Sequence, residues 1–412
     1  MPQELSQTPP LPLDIAALRA DTPGIADNTA DNGDRVHLLA AGSALMPKPV
    51  VDAVVDFTHL EARLGGYEAE AARAEQLDGV YACVARLIGA APGEIALMEN
   101  ATVAWCHAFY ALPLKPGDRV LTGEAEYAAN YVAFLQRAKR DGIVIEVVPS
   151  DAAGGLDVAA LEAMIDERVA LIAMTWIPTN GGLVNPAAAV GAVAKRHGVA
   201  YLLDACQAVG QMPVDVDELN CDFLSATGRK FLRGPRGTGF LYVREKWLET
   251  LEPAFEPAMI DHFGAPWVTR DTYELRPDAR RFETWENAYA LRAGLGVAVD
   301  YALGLGLANI QARAWGLADQ LRRMISGLPG AQIRDTGAAH CAIVSFSIDG
   351  RDPAATVAAL QARGIIIGTS SPDSTRLDAE ARSLPVVMRA APHYYNTEDD
   401  LARLVAALGA GP

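Results

Sequence analysis

Residues 200–243 read AYLLDACQAVGQMPVDVDELNCDFLSATGRKFLRGPRGTGFLYV. Three short runs, AYLLD, FLSAT and GFLYV, are rich in apolar, aromatic and β-branched residues and are separated by polar turns, the pattern of strands bounded by loops. The first run is almost wholly apolar, as a strand covered on both faces should be, and it ends on Asp204. In open α/β sheets, groups at such strand ends face the ligand crevice. Lys230 lies in the turn after the second run. Glycines 234, 237 and 239 then let the backbone fold tightly back into the third.

The same texture extends upstream. IALMEN, RVLTGEA, IVIEVVPS and VALIAMTWI add four strand-like runs from about residue 95. Stretches such as 158–165 (VAALEAMI) and 186–196 (PAAAVGAVAKR) carry apolar residues at helical spacing. Alternation of this kind predicts an α/β domain with a mainly parallel seven-stranded sheet covered by helices on both faces. After Glu286 the texture changes to a long Ala/Leu/Gly helical pattern, then CAIVSFSI, TVAALQARG and PVVMRAA, which predicts a small α+β C-terminal domain. The expected division is an N-terminal arm over 1–35, a large domain over 36–290 and a small domain over 291–412. The GLGLAN run at 303–308 lies within a helical pattern rather than after a strand, so it does not read as a dinucleotide loop.

The chain has 412 residues, half of them hydrophobic and 21% charged, enough to bury one large core with a second domain beside it. A formal charge of −16 repels phosphate backbones and anionic lipid, and no basic patch offsets it, so nucleic-acid and membrane partners are not expected. The N-terminus carries acids and prolines where a signal peptide needs a basic start and an apolar core, which points to the cytoplasm. Cys83, Cys106, Cys206, Cys221 and Cys341 lack the paired spacing of a zinc site and read as small core residues; no metal is expected.

Asp204 and Lys230 on neighbouring strand ends suggest one chemistry in particular. Pyridoxal 5'-phosphate requires an amine to condense with its aldehyde, an anion at the pyridine nitrogen, a platform for its ring and donors around its phosphate. Lys230 is the candidate amine and Asp204 the candidate partner of the ring nitrogen, since a carboxylate favours the protonated ring by direct charge interaction. Gln207 is placed to hydrogen-bond the ring hydroxyl oxygen. Thr227 and Arg229 flank the lysine turn and can donate to phosphate, Arg229 as a planar fork.

Asp-Ala-Cys-Gln, followed by a lysine after Thr-Gly-Arg and before Gly-Pro-Arg-Gly-Thr-Gly-Phe, resembles the class V aminotransferase group. Its members include cysteine desulfurases, selenocysteine lyase, isopenicillin N epimerase and the ergothioneine-pathway carbon–sulfur lyase. The likeness runs over nearly the whole chain after the first thirty residues and implies the fold type I architecture of pyridoxal-phosphate transferases. It also implies further site residues. Asn100, Ala101, Thr102 and Val103 resemble the phosphate-binding turn, where N–H groups at a helix start meet the anion. Tyr127, in AEYAANY, stands where many relatives stack a histidine on the ring, a task an aromatic tyrosine can perform. Thr179 and Asn180 lie where the group contacts the ring hydroxyl or substrate.

Arg389, in VVMRAAPHYYNTEDD, resembles the arginine that holds the substrate carboxylate, for which a bidentate fork is the appropriate group. His393, Tyr394 and Tyr395 follow it closely, but strand alternation lets only part of that run face a pocket. Gly42 and Ser43, in HLLAAGSALMP, resemble the N-terminal segment that enters the site. RRFETWEN (280–287) resembles the segment that crosses a dimer interface towards the partner's phosphate, which implies a homodimer. Relatives of the desulfurase type have Gly-Thr where this chain has Trp285-Glu286, and an ionised glutamate cannot donate to phosphate.

A desulfurase of this group requires a nucleophilic thiol on a mobile loop, and residues 365–385 contain none, which disfavours persulfide formation. β-Elimination, epimerisation and transamination of a small amino acid all begin with removal of the Cα proton by Lys230. The leading expectation is a C–S lyase acting on a cysteine-derived substrate, with an amino-acid epimerase and then an aminotransferase as alternatives. A catalytically dead scaffold would have no need to keep Lys230, Asp204 and Arg389 together. The irregular segment 252–281 is expected to cover the site.

Overall fold

The computed structural model describes residues 13–26, 35–253 and 261–410. Its strands are β1 (Val36–His37), β2 (Ile95–Met98), β3 (Arg119–Gly123), β4 (Val144–Val148), β5 (Val169–Thr175), β6 (Ala200–Asp204), β7 (Phe223–Thr227), β8 (Gly239–Val243), β9 (Trp267–Thr269), β10 (Thr272–Tyr273), β11 (Ala331–Ile333), β12 (Val344–Ile348), β13 (Ile365–Ile366), β14 (Gly368–Ser370) and β15 (Val387–Ala390). Seven of them form one sheet in the order β2-β8-β7-β6-β5-β3-β4. The steps from β4 to β7 are parallel, and β8 runs antiparallel to both of its neighbours.

Alternation along each strand divides the side chains between two cores. On one face Tyr201, Leu203, Leu224, Phe240 and Tyr242 meet Val190 and Val193 of the helix Ala187–His197. On the other, Leu202, Phe223 and Leu241 meet Trp105, Phe109 and Phe134. Burial of both faces explains why the central strands read as continuous apolar runs. Trp105 is accordingly a core residue, packed 4.8 Å from Phe109 by ring centroid.

The parallel strands all end on the same edge. Thr175 pairs with Asp204, and Asp204 with Ser225, so the ends of β5, β6 and β7 form one row. The backbone of β8 comes close behind it. A Cβ on Gly239 would lie 2.6 Å from the Ala226 carbonyl oxygen and 2.9 Å from the Asn100 carbonyl carbon. Gly239→Ala should therefore push the turn at Asn100 aside and cost about 1–3 kcal/mol, the scale of core overpacking. Urea denaturation of the two proteins measures this; an unchanged midpoint would mean that the turn yields freely.

The C-terminal sheet has the order β11-β12-β15-β14 and is antiparallel throughout. Its elements do not separate cleanly along the chain at residues 35 and 290. β1 pairs in parallel with β13, and Leu39 bridges to Ala391, which joins the segment at 36–39 to the C-terminal part. The helix Tyr289–Leu305 buries Ala293, Leu295 and Val299. Within the arm, Arg19 pairs with Asp400 at 2.9 Å; residues 1–12 and 27–34 lie outside the described residues. Residues 254–260 of the expected covering segment do too.

GLGLAN marks a break rather than the inside of one helix. Gly306 has φ 81°, and the helices on either side, Tyr289–Leu305 and Leu307–Ser326, meet at an 81° bend. Among the described residues no single helix is long and apolar enough to cross a membrane.

Candidate active site

A cavity of about 430 Å³ opens at the strand-end row, lined by Asn100–Val103, Tyr127, Asn130, Thr175, Ile177, Thr179, Asp204, Cys206, Gln207, Thr227, Arg229 and Lys230. Its floor follows from the sheet. Asp204 closes β6 with its Oδ1 accepting from the Cys206 N–H at 2.9 Å and its Oδ2 from the Asn130 Nδ2 at 3.0 Å. Burial pushes the Asp204 carboxyl up, opposed by those hydrogen bonds and by the charge of Lys230. A buried carboxylate of this kind gains most from a cation placed against it.

The side wall comes from two helix starts. Asn100 caps the helix Ala101–Ala111, its side chain accepting from the Val103 N–H at 2.9 Å. The remaining first-turn N–H groups have no acceptor within the helix, which suits an anion. Tyr127 precedes the helix Ala128–Asp141; its side chain is exposed, and its phenol is raised by burial and then by Cys206 and Asp204, against the pull of Arg229 and Arg389. It lines the cavity with its ring open to solvent, as a platform for a bound ring can.

Arg229 and Lys230 line the cavity with Asp204, and Arg389 lies beside it through Thr179, in a chain whose net charge is −16. Arg389, on β15, is nine-tenths buried, donates to the Thr179 carbonyl and hydroxyl, and keeps a buried Nε without a partner. Burial pulls it down to about 10, so it stays protonated at neutral pH. Neither Arg229 nor Arg389 forms an ion pair with a carboxylate among the described residues. Desolvated cations without counterions in a focused cleft attract anionic ligands.

Several expected contacts are arranged differently. Thr227 donates its hydroxyl to the Thr238 carbonyl at 3.2 Å, and Arg229 spends one of its N–H groups on the Gly42 carbonyl, so both brace the site as well as line it. Gly42 thus reaches the site through its backbone, whereas Ser43 is not in the cavity wall. Asn180 is corrected: its amide donates to Thr375 Oγ1 at 2.7 Å and to the Ser371 carbonyl, fastening the segment after β14 instead of facing the cavity. Thr179 alone of that pair lines it.

His393, Tyr394 and Tyr395 are buried around Arg233, which donates to the Tyr394 hydroxyl and lies 4.5 Å from the Tyr395 ring centroid. They are core. In RRFETWEN, Glu283 pairs with Arg292 at 2.7 Å and accepts from the Leu97 N–H and the Tyr81 hydroxyl, so it anchors β2. Glu286 lines a separate cavity of about 320 Å³ behind the Asn100 turn, next to Glu99 and Gly239.

Three residues of the site escaped the sequence reading. Cys206 was grouped with the core cysteines but lies in the turn after β6 and lines the cavity with Lys230, whose charge opposes the rise of its thiol by burial. Cys83, Cys221 and Cys341 are buried as expected. Glu126 and Asn130 form the other omission. Their i, i+4 spacing at a helix start was the available signal.

The residues fit pyridoxal phosphate. Gln207 Oε1 is buried in the cavity wall without a hydrogen-bond donor, as an atom awaiting a ring hydroxyl would be. Asp204 offers a charge for a ring nitrogen, Lys230 an amine, and the Asn100–Val103 helix start and Arg229 surround a place for phosphate.

Comparison with known proteins agrees. The family model described as aminotransferase class V matches residues 36–404, and the chain belongs to that family. It is a pyridoxal-phosphate enzyme by the construction of its site. Among its relatives, a protein of Pectobacterium atrosepticum named cysteine desulfurase is 31% identical over 96% of this chain and 97% of its own. A probable cysteine desulfurase of Methanothermobacter thermautotrophicus is 28% identical over 90% and 93%. The apo structure of a cysteine desulfurase from Thermococcus onnurineus superposes with a TM-score of 0.87 at 24% identity, covering 98% of this chain and 99% of that one, which shows the shared fold. These names run against the expectation that desulfuration is disfavoured.

Proposed function

We propose that this enzyme breaks the C–S bond of a cysteine-derived amino acid by β-elimination. The observation that carries the reading is the joining of Lys230 and Asp204 in one cavity with a buried, carboxylate-free Arg389 beside it. That set suits a small amino acid: Arg389 takes its carboxylate, and the Lys230 amine is positioned to remove the Cα proton. Bound pyridoxal phosphate supplies the electron sink for the charge left at Cα. Loss of the Cα proton to Lys230 and departure of sulfur with the Cβ–S electron pair, to be protonated as a thiol-type fragment, leaves a double bond between the two carbons. Hydrolysis then yields pyruvate and ammonium. The names of the relatives support sulfur as the leaving atom.

A second reading, desulfuration of cysteine, is favoured by those same names and by Cys206, the only cysteine lining the cavity among the described residues. Product analysis separates the two. Incubation of the loaded enzyme in heavy water with cysteine, thioethers and sulfoxides should release pyruvate with a thiol-type fragment. Alanine with sulfur carried on Cys206 would establish desulfuration instead, intact substrate deuterated at Cα an epimerase, and a substrate-derived keto acid an aminotransferase.

Arg389→Ala should raise the KM for the amino acid roughly 10- to 100-fold, since a charge-assisted hydrogen bond is worth about 1.5–3 kcal/mol. An unchanged KM would put the carboxylate elsewhere. We further propose that the active species is a homodimer, with the RRFETWEN segment near the partner; light scattering giving the monomer mass of 43.7 kDa would count against it.

A further inference from the structure

Behind Asp204 lies a second buried carboxylate that takes no part in the reaction described above. Glu126 is 4% exposed and accepts from five donors: Thr122 Oγ1 at 3.0 Å, the Tyr127 N–H at 2.9 Å, Asn130 Nδ2 at 2.8 Å, the Thr175 N–H at 3.0 Å and Thr175 Oγ1 at 2.5 Å. Asn130 Nδ2 also donates to Asp204 Oδ2 at 3.0 Å. An amide nitrogen carries two N–H groups, so the Asn130 side chain spends one on each carboxylate.

Simple filling of space does not require this arrangement. A buried carboxylate is costly, and an apolar side chain would fill the same volume between β3 and β5 at no electrostatic penalty. What a carboxylate adds is orientation. It holds the Asn130 amide with its nitrogen towards Asp204, and it holds the N–H of Tyr127, the ring platform. Both contacts lead to cofactor-facing groups.

We propose that Glu126 is a positioning residue that fixes the Asn130 amide against Asp204 and so sets how strongly Asp204 acts on the ring nitrogen of bound pyridoxal phosphate. The proposal rests on the cofactor reading of the site. Burial pushes Glu126 up to about 7, with Asp204 adding repulsion, so it carries charge above neutral pH. The groups facing this pair are Tyr201 and Asp204 on β6, Tyr127 at the helix start, and Lys230, Cys206 and Arg229 across the cavity.

The test uses Glu126→Gln, which keeps the shape, and Asn130→Ala as a second variant, because Glu126→Ala would strand five buried donors. The visible absorbance of the loaded proteins is titrated between pH 7 and 10, and cofactor retention is measured by dialysis. Removing the anion should move the midpoint of the visible band to lower pH by up to about one unit, since a nearby negative charge favours protonated nitrogen. Cofactor retention should change less than about threefold while kcat falls on the order of 10-fold at unchanged KM, the scale for an outer partner of a site group. The double variant should be no worse than either single one, as expected for residues acting in one chain of contacts.

If Glu126→Gln lowers only thermal stability and leaves the midpoint and kcat in place, Glu126 is structural and the proposal is overturned. Additive losses in the double variant overturn it as well. If the wild-type protein shows no visible band with added pyridoxal phosphate, the cofactor reading itself falls, an outcome distinct from a band that Glu126→Gln fails to move.

Discussion

Lys230→Ala should abolish turnover and, with it, the covalent cofactor that borohydride traps in the wild-type protein. Two losses combine. On the proposed reading, the amine that condenses with the cofactor aldehyde disappears, and so does the base that removes the Cα proton. General acid–base catalysis alone contributes on the order of 10²–10⁴-fold. Lys230 lines a cavity with Asp204 and Cys206, and among the described residues no second lysine lines it. Because the Asn100–Val103 helix start, Arg229 and Asp204 remain, the variant should still bind pyridoxal phosphate noncovalently. Mass analysis after borohydride treatment gives the decision: cofactor still covalently attached to the variant would mean that another amine carries it.

The legibility of this site followed the chain's own local rules. Asp204, Gln207 and Lys230 were readable because each lies at or just after a strand end, and a strand end in a parallel sheet has one place to point. The central strands were readable because burial on both faces makes them continuous apolar runs, whereas the extra pairing of β1 with β13 joins residues more than three hundred positions apart and leaves no periodic mark. Asn180 was misassigned for a related reason: which of two adjacent loop residues faces the cavity depends on the tertiary course of the chain, here the docking of the segment after β14 on its amide. Cys206 was hidden by its type, since cysteine is most often a core residue. Glu126 gave the weakest signal of all. Two polar residues four apart at a helix start usually cap that helix or face solvent, and only the fold reveals that this pair points inward between β3, β5 and β6.

Asp204→Asn should keep the fold and most of the cofactor, yet lower kcat by roughly 10²–10⁴-fold, as expected when about 3–5 kcal/mol of a buried charge interaction is removed from the reacting state. The asparagine retains an acceptor for the Cys206 N–H and the shape of the carboxylate, although its amide nitrogen gives up the hydrogen bond that Asp204 accepts from Asn130. On the proposed reading, what it lacks is the charge that keeps the ring nitrogen protonated. Without that proton the ring withdraws less charge from Cα, and the cost falls on the chemical step rather than on binding. The substrate carboxylate still meets Arg389, so KM should change little, in contrast to the Arg389 variant. Steady-state kinetics on the two proteins therefore form a paired test, one moving kcat and the other KM. A KM effect without a kcat effect in Asp204→Asn would mean that the carboxylate serves only to shape the cavity, and the assignment of its ring-nitrogen role would fail.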